Sequence, residues 1–504
     1  MSSCVGDLDV TPIDPNADTA DKVLVSEEAF TQYLAGVYTG FATSGYDGVD
    51  GGPSISGLDG GFSQYIRGLY NLNELTTDVS VWTWVNDGGG IGDLHYMIWS
   101  TSDGFVYSFY SRIAHQISAA NEFIREAKKS SVDFAAKKEY IAEARVLRAL
   151  CYLHAIDNFG KFPFATDEDV VGAFPPEKSR KELFDYVESE LTDLIEGSDL
   201  AAPRGNGYAR ADKGVAKFLL AKLYLNAEVY TGTAMYDKCA TVLKDLMDDG
   251  YSLHKAPKDG SDFSAYQELF LADNDTCTDE IIFAIEQDGV NTNSWGVTTF
   301  LVFGQVGDGM DASEFGISSG WSGLRTTPQF YDKFDADDAR NLFWIGDHQK
   351  EIDNVTEWKH GYPFMKFRNV KYDGTAGKES GHPDTDFPMM RYADVLLMAA
   401  ECQARGASID GLNAFNEVRE RAGLDPVRTL SLDEIIDERG RELYMECWRR
   451  SDLIRFGLFT SDKYTWAWKG NTKEGQKVAD YRNLFPIPVQ DLQANNKLTQ
   501  NEGY

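Results

Sequence analysis

Amphipathic helical patterns cover much of the chain, and their recurrence limits the fold more than any other feature of the sequence. Apolar residues repeat with the 3.6-residue period of an α-helix over segments 27–38, 106–128, 135–159, 180–196, 213–230, 235–249, 391–405, 412–422 and 432–448. Several segments form pairs joined by short polar turns, and in one pair the small residues Ala216 and Ala221 lie beside Leu220 and Tyr224. Such small-against-large packing is typical of tetratricopeptide repeats. The sequence therefore predicts a mainly α fold, a tetratricopeptide-like scaffold of helical pairs that forms an α-α superhelix.

A long block with few periodic patterns separates the two helical sets. From about residue 251 to 387 the chain is rich in Gly, Asp, Asn and Trp, and segments 40–61 and 83–107 have a similar composition. Irregular stretches longer than ~15 residues are usually functional. We therefore expect a loop-rich ligand-binding portion on the scaffold, within one domain of residues 23–504, preceded by a tether of residues 1–22.

Composition and charge exclude several classes of partner. The chain has 80 acidic and 48 basic residues and a formal net charge of −32, which disfavours nucleic acid. The six cysteines form neither a CxxC pair nor a zinc-type spacing with histidine. The acidic segment 335–340 lacks the loop glycine and the terminal glutamate of an EF-hand. We expect no metal site and no cofactor.

The first residues are typical of a processed bacterial lipoprotein. Met1-Ser2-Ser3 precedes Cys4, and an acidic stretch follows it. In such a signal the cysteine would carry the acyl chains, and Met1 would not belong to the native protein. No run of about eighteen apolar residues occurs in the sequence, so we predict no transmembrane helix.

The final third carries a set of motifs that together resemble the SusD family. They are Arg391–Glu401 (RYADVLLMAAE), Asn413–Arg419 (NAFNEVR), Glu438–Leu443 (ERGREL), Glu446–Arg455 (ECWRRSDLIR), Leu484–Pro488 (LFPIP) and Gln500–Tyr504 (QNEGY). Two earlier segments, Ala142–Ala149 (AEARVLRA) and Phe159–Pro163 (FGKFP), also resemble this family. The resemblance extends over nearly the whole chain and is weakest in the middle block.

The resemblance implies an outer-membrane, nutrient-binding lipoprotein of the SusD/RagB type. Such a protein would be anchored through Cys4 and face the cell exterior. It would capture an oligosaccharide or polysaccharide and deliver it to a SusC-like TonB-dependent transporter. The resemblance also implies a tetratricopeptide-like scaffold and a glycan pocket built from the early and middle loops.

Catalysis is disfavoured by the surroundings of the most suggestive carboxylate pair. Glu442 and Glu446 are four residues apart, as an acid and a base of a glycosidase could be. Nearby arginines at 439, 441, 449 and 450 should keep both carboxylates ionised, whereas a general acid needs a raised pKa. The chain also has no GxSxG, HExxH or P-loop motif. We therefore predict a binding protein and no enzyme.

Sugar binding needs exposed rings for stacking and polar groups that grip hydroxyls. Val81–Asp87 places two tryptophans on the same side of an extended segment, because alternate residues share a face. Another ring follows two asparagines in Asn291–Trp295, and Gly320–Gly323 carries a tryptophan on a flexible backbone. The predicted glycan-binding residues are Trp82, Trp84, Trp295, Trp321, Asp47, Asp87, Asn293 and Arg368. Asp47, Asp87 and Arg368 are chosen for hydroxyl contacts because the resemblance implies a pocket built from the early and middle loops.

Two other functions remain open at this stage. The chain could bind peptides or glycopeptides in the same kind of uptake system, or it could be a structural lid with no ligand of its own. The lid hypothesis predicts that replacing Trp82, Trp84 and Trp295 leaves glycan-dependent growth unchanged.

Overall fold

The computed structural model describes residues 23–45, 48–49 and 52–504, and most of its regular structure is helical. The α-helices, numbered α1 to α17 in chain order, are Glu27–Ala42, Tyr65–Asn73, Gly92–His95, Gly104–Lys129, Lys137–Asn158, Arg180–Glu196, Lys213–Leu225, Ala227–Thr231, Tyr236–Met247, Ala265–Glu268, Val297–Gln305, Pro328–Tyr331, Tyr392–Ala404, Gly411–Arg421, Leu432–Leu443, Arg449–Arg455 and Val489–Ala494. The prediction of a mainly α fold is confirmed.

The strands are short and pair in antiparallel twos. They are β1 (Ser80–Trp82), β2 (Phe162–Pro163), β3 (Glu177–Lys178), β4 (Ile281–Ile285), β5 (Leu324–Thr326) and β6 (Phe387–Arg391). The pairs are β1 with β5, β2 with β3, and β4 with β6. The pairs β1–β5 and β4–β6 each join strands that lie more than a hundred residues apart in the chain. These two pairs therefore connect distant segments of the loop-rich portions.

Side-chain caps explain where the scaffold helices begin. Ser179 and Glu182 form a reciprocal capping box at the start of α6. The carboxylate of Asp103 accepts from the first amides of α4, and the carboxylate of Asp212 does the same for α7. At the other end of α4, Lys128 and Lys129 complement the helix dipole.

Successive helices pack as neighbours, as expected for a tetratricopeptide-like scaffold. Helix α4 packs on α5, α5 on α6, α6 on α7, and α7 on α9. Helix α9 also contacts α13, which packs on α14, so the early and late helical sets join. A continuous apolar core runs through both sets and includes residues from Leu24 to Leu498. No helix in the described ranges is both long enough and apolar enough to cross a membrane.

The helix predicted over 432–448 is interrupted in the structure. The pattern over 432–448 predicts a single helix, but α15 ends at Leu443 and α16 begins at Arg449. Between them Met445 and Cys447 have φ values of 64° and 70°, in the left-handed region that ends a helix. The backbone amide of Cys447 donates to the Glu74 carboxylate at 2.7 Å. The helix break therefore coincides with a contact to a residue far away in the chain. A periodic pattern of apolar residues cannot indicate such a contact.

A buried ion network joins the loop-rich block to the late helices. Glu442 of α15 accepts hydrogen bonds from Arg340, Arg391 and Arg421, and all four side chains are almost completely buried. Burial alone would raise the pKa of Glu442, but the three guanidinium groups hold this pKa well below its usual range. The prediction that Glu442 is ionised is therefore correct, although the arginines nearest in sequence are not its partners.

Candidate functional site

A short strand pair gathers tryptophans that are distant in the sequence. Strand β1 pairs with β5 in a register that places Trp82 opposite Leu324. Just beyond the pair, the amide of Thr83 donates to the carbonyl of Gly323 at 3.0 Å. The pairing therefore brings the turn after β1, which contains Trp84, next to the segment before β5, which contains Trp321.

The assembled residues surround an open cavity of about 830 Å³, which we call the tryptophan cleft. Its lining residues are Val49, Asp59, Gly60, Gly61, Phe62, Arg67, Trp82, Trp84, Asp87, Trp295, Gly320, Trp321 and Ser322. Trp84 is 58% exposed and Trp295 is 37% exposed, although aromatic rings of this size are usually buried. Exposed rings around a concavity are a mark of a ligand site.

The rings of the cleft are held at fixed angles to each other. The indole Nε1 of Trp84 donates to the backbone carbonyl of Trp321 at 2.8 Å. The ring centroids of Trp295 and Trp321 are 6.3 Å apart, with 50° between the ring planes. Trp321 also packs on Phe303 of α11 at 5.3 Å. The cleft thus presents inclined aromatic faces.

The glycine-flanked segment around Trp321 is tied down by backbone hydrogen bonds. The amides of Trp321, Ser322 and Gly323 donate to carbonyls of residues 303–306, at 2.8 to 2.9 Å. A side chain at Gly320 would collide with the carbonyl of Val306, and one at Gly323 with the ring of Trp82. These glycines therefore permit close packing, which differs from the flexible backbone that the sequence predicts.

Arg67 lies in the floor of the cleft and, like Asp59, is a charged residue of the cleft that the sequence analysis did not predict. Its guanidinium packs between the rings of Phe62 and Phe300, at 4.8 and 4.4 Å, and its side chain is only 5% exposed. Its Nη1 donates weakly to the carbonyl of Trp295 at 3.4 Å, and its Nε has no hydrogen-bond partner. Burial lowers the pKa of Arg67 to about 10, although Asp87 and Asp59 oppose this shift. A guanidinium in the floor of a cleft is well suited to bind acceptor oxygens of a ligand.

Two carboxylates complete the polar part of the cleft. Asp87 lies 3.9 Å from the Arg67 guanidinium. Asp59 accepts hydrogen bonds from the amides of Gly61 and Phe62, at 2.8 and 2.9 Å. The oxygens of both side chains can also accept hydrogen bonds from ligand hydroxyls.

The structure brings five of the predicted residues to this cleft. Trp84, Trp295, Trp321 and Asp87 line its walls. Trp82 lies beneath them, only 4% exposed and packed on Phe300. The alternation that predicts a shared face for Trp82 and Trp84 does not extend past the end of β1, so the two rings differ in exposure.

The other predicted residues lie elsewhere. Arg368 is buried away from the cleft, where its guanidinium packs over Phe315 at 4.5 Å and donates to the carbonyl of Glu314. Asn293 is half-buried two residues before Trp295 and does not line the cleft. Asp47 and Cys4 lie outside the described residues.

The missed residues had a weak signal in the sequence. Arg67 is the charged residue of α2, a helix whose residues are all buried, and it follows a glycine-rich segment. An arginine in a buried helix beside a glycine-rich segment favours a role at a site. Nothing local connects it to Trp295 and Trp321, which lie more than two hundred residues away. In the described ranges, no three His, Cys, Asp or Glu side chains form a cluster that could hold a metal ion.

Comparisons with known proteins agree on one family. The model of the SusD family matches residues 340–504. The starch-binding protein SusD of Bacteroides thetaiotaomicron is 34% identical, in an alignment that covers 100% of this chain and 96% of that protein. Among solved structures, surface glycan-binding protein A from Bacteroides thetaiotaomicron in complex with laminarihexaose has a TM-score of 0.72 at 17% identity, covering 94% of this chain and 99% of that one. A laminarin-binding SusD-like protein has a TM-score of 0.71 at 22% identity, covering 95% and 100%.

Proposed function

The chain belongs to the SusD family, and from that premise we propose that it captures a glycan at the cell surface in the tryptophan cleft. The observation that carries the proposal is the set of inclined, exposed indole rings around a buried guanidinium and two carboxylates. The rings would stack on apolar faces of sugar residues, while the charged groups would bind the hydroxyls. Asn293 and Arg368 do not line the cleft and are not part of this proposal, whereas Asp47 remains a prediction from residue type and location in the sequence.

The ligand we propose is an α-glucan of the starch type. A protein 34% identical over the full length of this chain is named for starch binding. The 50° angle between Trp295 and Trp321 is consistent with this choice. Rings so inclined cannot both lie flat on a straight, ribbon-like chain, whereas the successive sugar faces of an α-1,4-linked glucan turn relative to each other.

In this proposal the protein binds the glycan without cleaving it and passes it on. Hydrolysis needs two carboxyl groups that act as an acid and as a base or nucleophile, whereas Asp59 is engaged by a backbone amide and Asp87 lies beside the Arg67 guanidinium. Delivery to a TonB-dependent transporter, and an anchor at Cys4 in the outer membrane, are the parts of the proposal supported by family membership alone.

Calorimetric titration of the purified protein against neutral oligosaccharides tests the function directly. We expect saturable binding of maltoheptaose, weaker binding of laminarihexaose and no binding of mannan oligosaccharides. Peptides provide the contrasting ligand class. Binding of peptides without binding of any glycan would contradict the proposal, and so would release of shorter sugars during the titration.

Replacing Arg67 by methionine is expected to weaken glycan binding about tenfold. Methionine keeps a long apolar stem between Phe62 and Phe300 but removes a charged donor, whose hydrogen bonds contribute ~1.5 kcal/mol or more. The matched control is Arg368→Met, which removes another buried arginine that packs on an aromatic ring outside the cleft. Equal losses of affinity in both variants would indicate a general effect of folding rather than a role of Arg67 in binding.

A further inference from the structure

A second cavity is lined in part by residues 288–292, which lie just before Trp295 in the chain. Its volume is about 380 Å³, which is within the usual range of small-molecule sites, and none of its lining residues belongs to the tryptophan cleft. One face of α1, the end of β4, the turn 208–210 and residues 288–292 form its walls. Because three tyrosines line it, namely Tyr38, Tyr140 and Tyr208, we call it the tyrosine cavity.

The polar wall of the tyrosine cavity is already assembled. The Tyr38 hydroxyl donates to Glu143 at 2.6 Å and accepts from the amide of Ala211 at 2.9 Å. The Arg210 guanidinium pairs with the same glutamate and lies 5.3 Å from the ring centroid of Tyr140. These contacts fix the orientation of two rings and of the guanidinium. A rigid arrangement of this kind needs little reorganisation to receive a ligand.

The turn that holds Tyr208 and Arg210 has an unusual backbone. Ala209 lies between them with a φ of 59°, in the left-handed region that alanine rarely adopts. Residues held in such conformations cluster at functional sites. Ala209 itself lines the tyrosine cavity, so this left-handed backbone conformation lies at the candidate site.

The chemistry of the lining selects a neutral ligand with both apolar and hydroxyl groups. An anion would meet Glu286 and Asp288, and a cation would meet Arg210. A purely apolar molecule would remove water from the exposed carboxylate of Glu286 without replacing its hydrogen bonds. A sugar has apolar faces that can stack on the tyrosine rings and hydroxyl groups that can hydrogen-bond to the polar side chains of the lining.

The two cavities are close enough for one polysaccharide to reach both. Thr292 lines the tyrosine cavity and Trp295 lines the tryptophan cleft. Three residues of extended chain span at most about 11 Å. The loop between the cavities is held in place because the amide of Gly289 donates to Asp384 at 2.9 Å and Lys378 pairs with Asp288 at 2.7 Å.

We propose that the tyrosine cavity is a second binding site for the same neutral polysaccharide that the tryptophan cleft binds. The inference rests on the proposed function, because it takes the glycan of the cleft as the occupant. Two linked contacts raise the affinity for a long chain over that for a short one, because the second contact is intramolecular. The protein would therefore prefer polymers to the short fragments that they release.

Filling the tyrosine cavity tests this inference. Ala35 is exposed on α1 and lines the cavity, whereas Gln32 is exposed on the same helix and does not. We expect Ala35→Trp to weaken maltoheptaose binding about tenfold, and we expect Gln32→Trp to leave it unchanged. Maltotriose affinity, measured alongside by calorimetry, reports on the tryptophan cleft alone.

A second measurement isolates the tyrosine cavity. In a Trp84→Ala/Trp295→Ala protein, saturation-transfer NMR should still detect contact with maltoheptaose, and adding Ala35→Trp should abolish this signal. The proposal of a second site would be overturned if the double variant gave no saturation-transfer signal. It would also be overturned if Ala35→Trp left that signal unchanged. A wild-type protein that binds no α-glucan at all would overturn the proposed function as well, so the two failures are distinguishable.

Discussion

Replacing Trp84 by alanine is expected to lower the affinity for the glycan by about thirtyfold. Trp84 is the most exposed of the cleft rings, so it has the most surface available to a ligand. Truncating a central aromatic residue of a binding site costs ~2 kcal/mol or more, which corresponds to the stated factor. Calorimetric titration with maltoheptaose measures the change.

Two further variants separate stacking from other effects at this position. Trp84→Phe keeps an aromatic face but loses the hydrogen bond from Nε1 to the carbonyl of Trp321, so we expect a loss of only a few fold. Trp344→Ala removes a half-buried tryptophan that does not line the cleft, and affinity should not change. If Trp84→Ala binds as tightly as the wild-type protein, the cleft is not the glycan site.

The helical scaffold was predictable because its signal is local. The period of 3.6 residues depends only on which face of a helix is buried, and helices such as α6 begin and end where the pattern indicates. Capping by Ser179 and Glu182 also lies within a few residues of the helix start. The break after Leu443 was not predictable in this way, because it involves a contact with Glu74, far away in the chain.

The candidate site was predictable only in part, because its residues meet through tertiary contacts. Residue type and a loop setting suffice to select Trp84, Trp295 and Trp321. They do not distinguish Arg67, which faces the cleft, from Arg368, which packs on Phe315 elsewhere. That distinction depends on the pairing of β1 with β5 and on the packing of α2 against α11.

Replacing Glu442 by glutamine is expected to destabilise the fold by about 3–5 kcal/mol, because it leaves three buried arginines with too few carboxylates. Arg340, Arg391 and Arg421 all donate to this side chain, and none of the four is more than 1% exposed. Denaturation in urea measures the change in the free energy of unfolding. The matched control, Glu420→Gln, removes an exposed carboxylate from α14 and should change stability by less than ~0.5 kcal/mol.

The effect of Glu442 should also depend on pH with a defined sign. Its pKa is lowered in the folded protein from an ordinary value of 4.5, so the folded state binds this proton less readily than the unfolded state does. The stabilisation is therefore complete above pH 4.5 and is lost as the pH falls towards the lower, folded-state pKa. The difference in stability between the wild-type protein and Glu442→Gln should accordingly narrow below pH 4.5. A difference that stays constant from pH 7 to pH 3 would mean that packing or hydrogen bonding, rather than the charge of Glu442, stabilises the junction between the loop-rich block and the late helices.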